Sequence, residues 1–252
     1  MANLKEIRNR ISSVTSTMKI TSAIKMVSAA KLKKAQDAIT AMRPYSEKLN
    51  ELMSSFSNVI SSSTISFLSL KRPVKKVLVI AVASNRGFCG AFNSNIIKKA
   101  KSLILSERFS NAEFEFIVFG KKVNDVLVKT ENIAKNASEI FEDLTYQNVS
   151  EIVDEIIDDF AKEKYDHVEL IYNSFKNAAN QIVKSEQFLP IERNNDGEAP
   201  QNYIFEPSTE QIISELVPKS LKIQLFKSIR DSFASEHGAR MTAMHKATDN
   251  AT

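Results

Sequence analysis

The decapeptide SNRGFCGAFN, residues 84–93, holds the chain's one cysteine between two glycines. It follows a β-branched run and precedes a helix-like segment, the junction at which open α/β folds bind phosphates. The spacing nevertheless matches neither GxxxxGK[ST] nor GxGxxG, so Gly87–Gly90 reads as a tight strand-to-helix turn. A thiol near a helix N-terminus can ionise and attack, but Cys89 has no histidine near it in sequence, and a small packed residue is the simpler reading. His237 and His245 stand two helical turns apart, too far to share one metal ion. His245 and Asp249 have i,i+4 spacing without further ligands. Asp154, Glu155, Asp158 and Asp159 alternate with Ile152, Val153, Ile156, Ile157 and Phe160, which marks a solvated face on an amphipathic helix. These residues assemble no catalytic, cofactor or metal site.

Charge is distributed unevenly. Residues 1–50 contain ten Lys or Arg against three acids, a net +7, while the whole chain of 252 residues carries +4 and the remainder therefore −3. A basic helix seeks an acidic partner: nucleic acid, an anionic membrane surface or a protein with acidic loops. Against nucleic acid, the basic stretch has no aromatic residue before Tyr45, and Lys25, Lys31, Lys33 and Lys34 overlap the apolar repeat instead of standing apart from it. One cysteine excludes an internal disulfide and fits a reducing compartment. No run of about 18 apolar residues is present to span a membrane, and MANLKEIRNR is not a secretory signal.

The elements that carry these residues begin with a heptad. With Leu4 at position a, the a residues are Leu4, Ile11, Met18, Lys25, Leu32, Ile39, Ser46 and Met53, and the d residues are Ile7, Val14, Thr21, Ser28, Ala35, Met42, Leu49 and Phe56. A repeat of this length predicts a coiled-coil strand roughly 80 Å long. Pro44 should kink it. A Ser-rich joint follows, and then apolar runs at 74–84, 114–120, 166–173 and 180–191, with a short candidate strand at 203–207. Helical patterns lie between them at Asn93 to Leu105, at 121–129 and after Ser150, which is placed to cap EIVDEIIDDF. The alternation predicts a mainly parallel sheet covered by helices. From Ser208 the pattern is helical to Thr252, with a bend or restart expected at Pro218. The expected fold class is α/β: a central open Rossmann-like domain, 74–207, between long terminal helices, 1–58 and 208–252, that pair as an antiparallel coiled coil, with a linker at 59–73.

KEIRNRISSV, KITSAIKMVSAAKLKKAQ and RPY in the first helix, the loop SNRGFCGAFNSN and the C-terminal ASEHGARMTAMHKATDNA resemble the γ (central stalk) subunit of F-type ATP synthases, along the whole chain and in order. The resemblance implies a non-catalytic rotor without cofactor or metal. Its paired helices would turn inside one ring of three α and three β subunits, while its α/β domain meets the ε subunit and the membrane c-ring. Rotation would couple proton flow to ATP synthesis. It further implies contacts with the ring at Arg8, Arg10, Ile24, Lys25, Arg86 and Arg240, no nucleic-acid partner, and a peripheral place on the cytoplasmic face of a bacterial inner membrane, since no transit peptide precedes the start. Two departures stand out. Asn85 occupies a position where the family more often has Asp, and the family's last helix usually continues past Thr252, so that residues 4–18 are expected to lack most of their helical partner. The alternatives from other classes are a basic coiled-coil nucleic-acid-binding or scaffold protein and an α/β enzyme using Gly87–Gly90 and Cys89.

Overall fold

The computed structural model describes residues 4–55, 66–191, 206 and 208–252. The first helix, α1, runs Leu4–Ser55 with Pro44 inside it. A 3-10 turn at Ser66–Ser69 leads to β1, Lys76–Val82, after which the chain alternates: α2 (Phe92–Ile104), β2 (Glu113–Phe119), α3 (Lys121–Leu127), β3 (Asn132–Asn136), α4 (Tyr146–Ala161), β4 (His167–Phe175) and β5 (Gln181–Leu189). The last helix, α5, is Thr209–Asp249. The five strands lie in the order β3-β2-β1-β4-β5. All neighbours are parallel except β4 and β5, which run antiparallel.

The sheet forms because β1, KVLVIAV, is apolar on both faces and buried at every position but the first. Leu78, Ile80 and Val82 point to one side, where α4 and α5 cover them with Val153, Ile156, Leu221, Leu225 and Ile229. Val77, Val79 and Ala81 point to the other, beneath Ile96 and Ala100 of α2 and Val123 and Leu127 of α3. A strand buried on both faces needs such a three-layer arrangement. The first half of α5 is therefore part of the domain core and its second half part of the coiled coil.

The heptad governs α1 where α5 is present to receive it. Thr21, Ser28, Leu32, Ala35, Ile39, Ser46 and Leu49, all assigned to a or d, are buried, and Met18, Lys25, Met42 and Met53 are half-buried. The seam is closed by Ala234 and Met241 of α5 against Leu32, Ala35 and Ile39. Its polar stretch is answered in kind, with Thr21 Oγ1 and Thr248 Oγ1 2.8 Å apart. Beyond that level the a/d residues Leu4, Ile7, Ile11 and Val14 are exposed. Native-state hydrogen exchange should therefore be fast at residues 4–14 and slow at 28–49, because burial holds a helix that propensity alone does not; equal protection in both stretches would contradict this description.

Several expectations are corrected. Ser150 does not start its helix: Thr145 does, its side chain accepting from Asn148 N, and Ser150 lies a turn inside, donating to Tyr146 O at 2.7 Å. A β-region residue with a free hydroxyl caps better than one already flanked by helical residues. No restart occurs at Pro218, which sits within a continuous α5. That helix begins where its pattern does, capped by Ser208, whose Oγ accepts from Gln211 N. The strand β3, NIAKN, was not anticipated; its burial alternates and it contains two asparagines, which disfavour strand. The short strand expected at 203–207 lies outside the described residues except for Glu206, which is a bend.

Candidate partner-contact site

Where β1 ends, its loop folds against the base of the helical pair. Ser84 Oγ donates to Arg86 O at 2.7 Å, and Asn85 bridges to the neighbouring strand-end loops, donating to Ser138 O and accepting from Lys121 N. Phe88 holds φ +61 and Gly90 φ +59. The left-handed region is costly for a phenylalanine, and Phe88 is 74 % exposed. The strain thus presents a large apolar side chain to solvent, a pattern more often found where a surface has a task.

Arg240 of α5 fastens this loop. It donates from Nη2 to Arg86 O at 3.0 Å and from Nε to Gly87 O at 3.2 Å. Its Nη1 lies 2.7 Å from Glu236 Oε1, with both side chains 8 % exposed. Burial pushes the Glu236 carboxyl upward, and the Arg240 guanidinium pulls the other way. His237 completes the cluster: Arg240 Nη1 is 3.3 Å from its Nδ1, which assigns the ring proton to Nε2. The ring packs edge-on to Phe233, centroids 4.5 Å apart.

Burial, then Arg240, then Lys31, push the His237 pKa down to about 3 from an ordinary 6.5. The sign follows from linkage. The unfolded chain takes up a proton below 6.5 while the folded chain stays neutral, so this stabilisation is present above 6.5 and is lost as pH falls toward 3. Urea denaturation across that window should show the unmodified protein losing stability faster than His237→Gln; parallel profiles would mean that the imidazole takes up its proton as readily in the folded chain as in the unfolded one.

Around the clamp lies a groove of about 840 Å³. Ile24, Val27 and Lys31 of α1, Arg86 and Phe88 of the loop, Lys121 and Lys122 of α3, and Phe233 and His237 of α5 line it. Four cations surround an apolar floor, and the acids among the lining residues are Glu142 and the paired Glu236. Such a surface suits an acidic segment with apolar side chains. Of the six residues singled out from the sequence, the structure brings Ile24, Arg86 and Arg240 together here. Lys25, half-buried, follows Ile24 on α1. Arg8 and Arg10 are exposed on the far part of the same helix, about 21 Å further along at 1.5 Å per residue from Ile24 to Arg10. Arg240 is buried, so its guanidinium works on the loop. Glu236, His237, Lys31, Lys121, Lys122 and Phe88 were missed. An i,i+4 Glu–Arg pair was legible for Glu236, whereas the two lysines reach the groove only through the sheet.

Cys89 is buried, close to Ser84 Oγ and Asn93, and desolvation raises its thiol pKa. An activated thiolate needs the opposite environment. Among the described residues, no helix is long and apolar enough to cross a membrane.

Comparison with known proteins agrees with this architecture. The sequence profile of a family described as ATP synthase matches residues 3–252. A protein of Flavobacterium johnsoniae named ATP synthase gamma chain is 58% identical over the whole chain and 88% of its own length. One of the same name from Geobacter metallireducens is 40% identical with the same coverage. Among solved structures, the central stalk and c-ring of the Tetrahymena thermophila mitochondrial ATP synthase contains a chain 25% identical, with TM-score 0.64 over 90% of this chain and 99% of that one. The rotor of the Euglena gracilis enzyme shares the fold at 18% identity, TM-score 0.66, over 97% and 90%. The long terminal helices and the five-stranded mixed sheet between them match those stalk structures, and the chain belongs to the ATP synthase γ-chain family.

Proposed function

We propose that this chain is the non-catalytic rotor that couples proton translocation to ATP synthesis and hydrolysis. Its helical pair stands inside one ring of three α and three β subunits, and its α/β body meets the ε subunit and the membrane c-ring. Family membership makes the chain a component of an ATP synthase. The observation that carries the finer reading is the placement of the groove at the level where the coiled coil leaves the body. Acidic, partly apolar loops of the ring would meet Ile24, Lys25 and Arg86 there and Arg8 and Arg10 further along, while Arg240 acts by holding the loop that carries Arg86. The protein would then lie at the cytoplasmic face of a bacterial inner membrane, held there by the complex.

Co-expression with the cognate α and β subunits tests the reading. One copy of this chain should co-elute with three α and three β subunits, and a rod fixed to its body should turn when ATP is supplied. Arg86→Glu, which turns one of the four cations into an acid facing acidic loops, should slow rotation under load more than it slows unloaded hydrolysis. A ring that assembles and hydrolyses ATP without this chain entering it would overturn the proposal.

A further inference from the structure

Body and coiled coil share α5, and the way the body grips that helix is specific. Ser235 Oγ donates to Asn173 O at 3.1 Å, Thr242 Oγ1 to Ala178 O at 3.1 Å, and Ser232 Oγ lies 3.5 Å from Val82 O, the outer limit of a hydrogen bond. Arg230 Nη2 donates to Leu144 O at 3.0 Å, and Arg240 to the carbonyls of Arg86 and Gly87. Thr242 shares its one hydroxyl proton between Ala178 O and Gly238 O of its own helix, both at 3.1 Å, and the other acceptors named are main-chain carbonyls of the α/β body. Gly238 lets the helix approach closely, since a Cβ there would lie 3.1 Å from Ala178 Cα.

The donors are not on one stripe. At about 100° per residue, Ser232, Ser235 and Thr242 fall in a sector about 80° wide, and Arg230 and Arg240 in another on the opposite side. A helix held from two sides resists turning about its own axis in either sense. An atom on the helix rim, about 5–6 Å from the axis, moves about 1 Å in a turn of about 10°, which carries a hydrogen bond of normal length out of range. By contrast α1 meets α5 mainly through the apolar seam, with described side-chain hydrogen bonds only at Thr21–Thr248 and Met18–Thr252. Apolar contacts are non-directional and resist twist weakly.

We infer that Arg230, Ser232, Ser235, Arg240 and Thr242 are positioning residues that key α5 rotationally into the α/β body, so that torque enters the coiled coil through α5 and its carbonyl contacts while α1 follows. The inference rests on the rotor reading for its meaning, but the stiffness it claims is a property of the chain itself.

Two measurements test it. In the complex with α and β, with the ring immobilised and a rod on the body through Lys98→Cys, the triple variant S232A/S235A/T242A is expected to show about twofold greater variance of resting angle, its hydroxyl contacts being gone. Unloaded ATP hydrolysis should be unchanged, and Thr21→Ala, which touches only the seam, should leave the variance as it was. The conservative pair S235T/T242S, which keeps the hydroxyls, should restore it. In the isolated chain, spin labels at the exposed Lys34 and Lys98 should give a broader distance distribution in the triple variant than in the unmodified protein. Should the triple variant fail to give a native circular dichroism spectrum, Thr242→Val and Arg230→Gln are read singly in both assays, each with a smaller broadening in the same direction. Unchanged angular variance or unchanged label distances in folded variants would overturn the inference. Failure of the unmodified chain to enter the ring would overturn the rotor reading, and the label distances would still decide whether the key exists.

Discussion

Replacing Gly120 with alanine is expected to destabilise the protein by about 3–5 kcal/mol, the sum of backbone strain and overpacking. Gly120 links β2 to α3 with φ +121, a conformation side chains rarely adopt. A Cβ there would lie 2.7 Å from Ala83 C, 2.8 Å from Ser84 N and 2.9 Å from Ser84 O. All three are main-chain atoms of the segment leaving β1, and that segment cannot step aside, because Ala83 N already donates to Phe119 O at 2.7 Å. A loss of that size is a large share of the roughly 5–15 kcal/mol that holds a typical domain together. The damage should reach the groove as well, since Asn85 and Arg86 follow directly. Urea denaturation measures the effect, and Gly87→Ala is the control: its Cβ meets nothing within 4 Å, and its φ is not positive, so little change is expected. A Gly120→Ala midpoint equal to that of Gly87→Ala would show that the strand-end loops adjust more freely than their hydrogen bonds suggest.

Arg240→Met should cost a similar amount for a different reason. The substitution leaves the Glu236 carboxylate buried without its partner, and removing one member of a buried ion pair typically costs about 3–5 kcal/mol. It also frees the carbonyls of Arg86 and Gly87, but those belong to a loop that is half-buried or exposed, so water can take the place of the guanidinium. The deficit should depend on pH with a definite sign. Burial already raises the Glu236 pKa above 4.5, and loss of Arg240 raises it further. A carboxyl whose folded pKa is raised favours the folded state in acid and disfavours it as pH climbs. The variant's deficit should accordingly shrink as pH falls toward 4.5. The double variant Glu236→Met, Arg240→Met should recover most of the loss, since an apolar pair of similar volume can replace a buried ion pair. A double variant as unstable as Arg240→Met would place the cost in the released loop and not in the stranded acid.

The heptad of α1 was legible because it depends on one periodicity that neighbouring chemistry does not disturb. Its register predicted which residues from Met18 to Met53 turn inward. The two-faced burial of β1 was legible for a similar reason, six apolar residues in succession admitting few other environments. What escaped was set by tertiary contact. The strand β3 has poor intrinsic preference and exists because β2 offers it an edge. Thr145 outcompeted Ser150 as a cap because α4 begins a turn earlier than its apolar face announces. In the groove, Ile24 and Arg86 could be named from the motifs, but nothing in the sequence says that Arg240 is turned inward upon Glu236, 6 % exposed within the assembled fold. Burial of a charge is a property of neighbours distant along the chain.

Because α5 is held through main-chain carbonyls, the body offers it atoms that every amino acid possesses. Asn173, Ala178, Val82 and Leu144 contribute to the grip by position alone. What the grip itself asks of them is the place of an oxygen, and whatever constrains their side chains comes from the packing around them, as for Val82 in the sheet core. The donors on the helix answer to the grip directly, since it is their side chains that make it. An insertion or deletion that displaces the body's backbone would move the acceptors away from α5 even with every side chain of the joint unchanged.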